Sequence, residues 1–216
     1  EKRQRISSLL ANLRTVTGGI PLSAEAIIKL IEQHLNCPNS SRLPVLIVAA
    51  AYQSASTYLG QRYLSLKSHN AADEQTGALG DIEITLLNEE NVVTCYEMKN
   101  KKVTVNDINR ALQKIRDSNQ RIDNYIFITT DVIEPAVQQY AFSIYEQTGG
   151  IEFVILDCIS FLRHFLHIYH RLRMDFLECY QQLVLVEPES AVSQALKEAF
   201  LALRQVAESD KDEEQL

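Results

Sequence analysis

Apolar residues follow two rhythms along this chain, and the rhythms alternate. Near the start Ile6, Leu9, Leu10 and Leu13 recur at three- and four-residue steps, one face of a helix, and the stripe stops at Gly18-Gly19. A second helix is predicted to open at Pro21–Ser23 and to carry Ile27, Ile28, Ile31 and Leu35. Residues 36–44, "NCPNSSRLP", have loop composition, and 45–61, "VLIVAAAYQSASTYLGQ", read as a buried helix rich in small residues.

The period then shortens. Residues 62–66, "RYLSL", form a short predicted strand, 67–80 a polar loop, and 81–87 and 92–98 the two arms of a hairpin. Thr104 with Asp107 opens a helix in the manner of a capping box, and its apolar stripe is Ile108, Ala111, Leu112 and Ile115. "YIFITT" (125–130) and "IEFVILD" (151–157) are strands by β-branched and aromatic content, separated by a helix from about Glu134 to Glu146. A helical pattern fills Ser160 to about Tyr180, and a last helix follows Pro188. A hairpin followed by alternating helices and strands predicts an α/β fold: a mixed central sheet with an acidic hairpin, helices on both faces and extra helices at both ends. The expected parts are an N-terminal helical segment (1–43), a core (44–187) and a C-terminal helix with an acidic tail (188–216).

Composition narrows the class. With 216 residues, 46% hydrophobic and 23% charged, the chain can bury roughly two-thirds or more of its unfolded surface. The net charge of −7 argues against a polyanion partner, yet Lys99–Arg121 holds seven Lys or Arg against two Asp, whereas Glu208–Glu214 holds five acids and one lysine. Such a local basic field can bind phosphates on an acidic protein. Cys37, Cys95, Cys158 and Cys179 are scattered without a CxxC pair, as in a cytoplasmic protein. No stretch approaches the ~20 apolar residues of a spanning helix, so no membrane is expected. The chain begins Glu-Lys-Arg, without methionine, the start expected of a fragment.

The hairpin carries the sharpest chemistry. "GDIEITLLNEENVVTCYEMK" (80–99) puts Asp81 and Glu83 on one arm and Glu97 on the other, with Lys99 two residues on. Carboxylates crowded on a sheet repel one another, and a divalent cation would compensate them. Mg²⁺ takes one or two carboxylates and keeps places for waters and phosphate oxygens. Lys99 shares a strand face with Glu97 and could orient water or neutralise developing charge. Register tests the idea. A four-residue turn, Asn88–Asn91, would set Asp81 against Met98 and put the two acids on opposite faces. A three- or five-residue loop, or a one-residue bulge, would bring Asp81 near Glu97 and Glu83 near Cys95.

Gly80-Asp81 at the start of one strand, followed by Glu97-x-Lys99 at the end of the next, resembles the PD-(D/E)xK nuclease signature, with Gly80 where that family has proline. More narrowly, residues 45–204 resemble type II restriction endonucleases of the SacI group through "GDIEI", "YEMKNKKVTVNDINRALQKI", the later strands and a helical end with "VEPE". The resemblance implies Mg²⁺-dependent hydrolysis of double-stranded DNA by a homodimer at a specific, palindromic site in a bacterial cytoplasm. By residue match, Asp81 and Glu97 would be metal ligands and Lys99 the catalytic lysine.

Around this set, Glu83 is a supplementary acid or a solvated strand residue, and Gln113 either reaches the site or is a surface glutamine. Lys101, Lys102, Arg110 and Lys114 are expected to meet DNA phosphates, against a plain solvated face. Lys67, His69 and Asn70, in the loop entering the hairpin, are candidate DNA contacts or part of a mobile polar loop. His164, His167 and His170 step by three and drift around a helix, so they suit a surface better than a zinc site. Two other functions stay open: a repair or recombination nuclease that recognises DNA structure, and a non-catalytic DNA-binding or assembly module of the same fold.

Overall fold

The computed structural model describes residues 2–15, 21–66, 78–118 and 120–213. Lys67, His69, Asn70 and the Gly18-Gly19 stop lie outside them. In chain order the elements are α1 (Lys2–Thr15), α2 (Ala24–Leu35), α3 (Leu43–Leu59), β1 (Gln61–Tyr63), β2 (Ile82–Leu86), β3 (Val92–Lys99) and α4 (Val105–Ser118). There follow β4 (Asn124–Thr129), α5 (Pro135–Thr148), β5 (Glu152–Asp157), α6 (Cys158–Ile168), a 3-10 turn (His170–Leu172), α7 (Arg173–Val186) and α8 (Gln194–Glu213). The chain divides into two compact units, Ala55–Phe161 and the pair of segments Glu1–Ser54 and Leu162–Leu216.

The Ala55–Phe161 unit is built on a five-stranded sheet in the order β1-β2-β3-β4-β5. The pairs β1–β2 and β2–β3 are antiparallel, and β3–β4 and β4–β5 are parallel. This is the mixed α/β sheet that the alternation of rhythms predicts. Parallel neighbours need a crossover, which α4 and α5 supply. Their apolar stripes, Ile108, Ala111, Leu112 and Ile115 on α4 and Val137, Ala141 and Ile144 on α5, bury one sheet face formed by Cys95, Tyr125, Phe127, Phe153 and Ile155. Tyr125 stacks on Phe153 at 5.2 Å between ring centroids. On the opposite face Ile82, Ile84, Ile126 and Ile128 are also buried, and Tyr96 meets Phe161 edge-on.

The hairpin contains the irregularity that its acids require. Near the turn Thr85 pairs with Val92, but Ile84 pairs with Thr94, so Val93 is an extra residue in β3. Beyond this bulge the register runs Glu83 with Cys95 and Ile82 with Tyr96. Had the turn-side register continued unbroken, Asp81 would oppose Tyr96, whose ring lies on the other face. The one-residue insertion reverses that parity.

The other unit is helical. Ser23 caps α2 by accepting the Ala26 N–H at 3.1 Å. Ile27, Ile31, Phe176, Tyr180 and Phe200 are fully buried there, together with His34. Nε2 of His34 lies 3.0 Å from the Leu196 carbonyl, which can only accept. Nε2 therefore carries the proton, and Nδ1 accepts from the Tyr180 hydroxyl at 2.9 Å. Burial pushes the His34 pKa down to about 4.

The single helical pattern over Ser160–Tyr180 is broken in the structure. The α-helix stops at Ile168, and a 3-10 turn intervenes before α7. Arg173 fixes the break by donating to the His170 carbonyl at 2.8 Å and to the Leu22 carbonyl at 2.7 Å. Apolar spacing carries no mark of such a contact. The break also leaves His170 off the helix that bears His164 and His167. His167 and Arg163 pair instead with Glu25, at 2.9 and 3.3 Å.

Candidate active site on the acidic hairpin

Backbone geometry where β2 begins explains the Gly80-Asp81 pair. A Cβ on Gly80 would lie 2.5 Å from the Tyr96 carbonyl oxygen, well inside any real contact. Only glycine admits this approach, which lets the Asp81 N–H donate to the Tyr96 carbonyl at 2.8 Å. The regular ladder ends there. The Asp81 carboxylate takes over from it, with Oδ2 accepting the Met98 N–H at 2.7 Å. Asp81 is thus tied by backbone and side chain to the strand that carries Glu97 and Lys99.

Glu97 and Lys99 sit on the α4 side of the sheet, in register with Phe127 and Thr129 of β4. Lys99 Nζ lies 2.9 Å from Glu97 Oε1 and 3.5 Å from Asp107 Oδ1. Lys114 Nζ stands 3.6 Å from Glu97 Oε2. Tyr125, buried under the same carboxylate, lies 3.1 Å from Glu97 Oε2 and 2.8 Å from the Leu79 carbonyl, both acceptors for its one proton. Burial, and after it the charges of Glu97, Cys95 and Asp81, push the Tyr125 phenol well above its usual range. It therefore stays a hydroxyl donor. Continued one residue past Ile82–Tyr96, the bulged register sets Asp81 opposite Glu97, which puts the two carboxylates on a common side of the sheet.

Asp107 is the residue whose part in the site the sequence does not show. The capping box is real: Asp107 Oδ2 accepts from the Thr104 N–H at 2.9 Å and from its hydroxyl at 2.6 Å. The other oxygen, Oδ1, faces Lys99 and accepts from Arg110 Nη2 at 2.6 Å. Burial pushes this carboxyl up, but the two Thr104 bonds and the charges of Lys99 and Arg110 outweigh it and hold it below the ordinary range. A helix cap at the sequence level is thus also the second carboxylate beside Lys99. Tyr125 gave no signal either, because nothing local in "YIFITT" says that it runs beside β3.

The remaining candidates separate. Glu83 is not solvated: it is buried, and Oε1 accepts the Leu79 N–H at 2.9 Å, which pins the entry to the hairpin. Lys101 and Lys102 are exposed, and Lys102 pairs with Glu134 at 2.9 Å. Gln113 is exposed and bonds Asp117, so it faces out from α4 rather than toward Glu97. It lines a shallow groove of about 530 Å³ with Asn106, Asn109 and Arg110.

Among the described residues no group of three or more His, Cys, Asp and Glu side chains is arranged to hold a metal ion. The donor set here is smaller, two carboxylates with hard oxygens flanked by a lysine. That set fits Mg²⁺, which commonly binds through one or two carboxylates and retains waters and phosphate oxygens. It does not fit a zinc or calcium cage. No described helix is long and apolar enough to cross a membrane.

In a comparison with protein families, the model of the SacI restriction endonuclease C-terminal domain matches residues 21–130. That span includes Asp81, Glu97, Lys99 and all of α4. No curated protein matches the chain.

Proposed function

The chain belongs to the SacI restriction endonuclease C-terminal domain family, which makes it part of a restriction endonuclease with DNA as substrate, and we propose that the acidic hairpin is its Mg²⁺-dependent phosphodiester-cleaving centre, of the PD-(D/E)xK type. The observation that carries this reading is the Lys99 ammonium 2.9 Å from Glu97, on the sheet side to which the bulged register also brings Asp81.

Asp81 and Glu97 would hold the ion, which when bound supplies Lewis acidity toward a phosphoryl oxygen and a more acidic water. Asp81 is oriented by the Met98 N–H. Tyr125 orients Glu97 from below by donating to Oε2. Lys99, held between Glu97 and Asp107, presents its ammonium to the charge that builds on phosphorus-bound oxygens, or orients the attacking water. Lys114, Lys101 and Arg110 supply positive charge along the path of the DNA backbone. The enzyme is of type II and acts as a homodimer on a palindromic duplex site.

Digestion of a plasmid with the purified protein in Mg²⁺, followed by sequencing of the ends, tests the assignment. Discrete fragments are expected, and Lys99→Ala should lower the rate by roughly 10²–10³-fold while the protein stays folded, as removal of one charge-stabilising group typically does. Full activity in Lys99→Ala would refute the site. A smear independent of sequence would point to a structure-reading nuclease. DNA binding without Mg²⁺ binding or cleavage would point to a non-catalytic module.

A further inference from the structure

The outward face of α4 is unusual in its chemistry. Inward, the helix shows Ile108, Ala111, Leu112 and Ile115; outward it shows Asn106, Asn109, Arg110 and Gln113, all exposed. These four line one groove. Spacings of three and four residues put them in a row about 10 Å long at 1.5 Å per residue, close to three base steps of 3.4 Å. Generic solvated helices are filled with Lys and Glu. This row holds three amides and a guanidinium, the groups whose paired donors and acceptors match adenine and guanine edges in the major groove.

Three of the four side chains in the row, Asn109, Arg110 and Gln113, are also held in place. Asn109 Oδ1 accepts from the Tyr140 hydroxyl at 2.6 Å, which directs its amide nitrogen away from Tyr140. Gln113 is braced on Asp117 at 2.8 Å. Arg110 is anchored through Nη2 on Asp107 while its side chain remains 69% exposed. Because Asp107 also touches Lys99, the row is coupled through one carboxylate to the proposed cleavage centre. Fixed side chains favour base reading, whereas loose lysines serve phosphate contacts.

We propose that the outward face of α4 enters the major groove of the substrate duplex and that Asn106, Asn109 and Gln113 read base edges there. This rests on the nuclease reading above, and it adds the element that selects the sequence. The surrounding positive balance of Lys99–Arg121 suits a polyanionic duplex as the occupant.

The test uses a duplex library randomised over the target region. Cleavage by the wild type is compared with Asn106→Ala and Gln113→Ala by sequencing the cut ends. The same library is also selected for binding to Lys99→Ala protein carrying each second substitution, so that base preference is read without cleavage. Each substitution is expected to relax preference at one base position by roughly ten- to a hundredfold, the discrimination one bidentate contact provides, and to leave the other positions unchanged. Unchanged preference, or a uniform loss of binding over all sequences, would overturn the proposal in favour of phosphate contact alone. Absence of cleavage with position-specific preference retained in the binding arm would overturn the catalytic reading and leave this one standing.

Discussion

Gly80→Ala is the smallest perturbation that reaches the proposed centre without touching a charged group. The added methyl would lie 2.5 Å from the Tyr96 carbonyl oxygen, where ordinary contact begins at 3.4 Å. The start of β2 must therefore retreat by about 0.9 Å, because the obstacle is backbone in the middle of a sheet and cannot turn aside. Two hydrogen bonds depend on that approach, Asp81 N–H to the Tyr96 carbonyl at 2.8 Å and Met98 N–H to Asp81 Oδ2 at 2.7 Å. The second is charge-assisted, a class that contributes about 1.5–3 kcal/mol each. Stability should fall by about 1–3 kcal/mol, as for other overpacked sites. A misplacement near 1 Å at a reacting centre costs up to ~10²-fold in rate, so DNA cleavage should fall by roughly ten- to a hundredfold. Thermal unfolding and single-turnover cleavage under saturating protein measure the two effects separately. If Gly80→Ala cleaved and unfolded like the wild type, the close approach would not position Asp81, and the account of the Gly-Asp pair would be wrong.

Three further outcomes follow. Asp107→Asn keeps an oxygen for the Thr104 cap but removes the charge beside Lys99; the cleavage rate should drop roughly tenfold or more with DNA affinity nearly unchanged, a loss confined to the transition state. An equal loss of rate and folding would reduce Asp107 to a cap. Glu83→Ala leaves the buried Leu79 N–H without its 2.9 Å partner and should cost about 1–3 kcal/mol in urea unfolding; no loss would mean that the Glu83–Leu79 bond does not stabilise the hairpin entry. His34, whose pKa falls to about 4 on folding, binds a proton more readily in the unfolded chain. Stability is therefore lost as pH falls from about 6.5 to about 4, by up to about 3 kcal/mol, and the loss then levels off. His34→Gln should flatten that slope; an unchanged slope would show that other groups carry it.

Local pattern alone determined much of this protein. Periods of two and of three to four located nearly every helix and strand, because each element buries a face and the buried positions must repeat with its geometry. The same logic exposed the acids of 80–99, since alternation put Ile82 and Ile84 into the core and left Asp81 and Glu83 on the other side. It also made the register a question with two answers. Only the folded sheet chose between them, through Val93, because a bulge is settled by pairing across strands and not by any residue on one. Tyr125 beneath Glu97 depends on β4 lying beside β3, and Asp107 beside Lys99 depends on where α4 packs after the crossover. Those are distances between residues far apart in sequence, and side-chain spacing along a chain holds no information about them. The break at Tyr169 has the same origin, a guanidinium reaching a carbonyl more than a hundred residues away. Local pattern marked which residues carry reactive groups; tertiary contact decided which of them stand together.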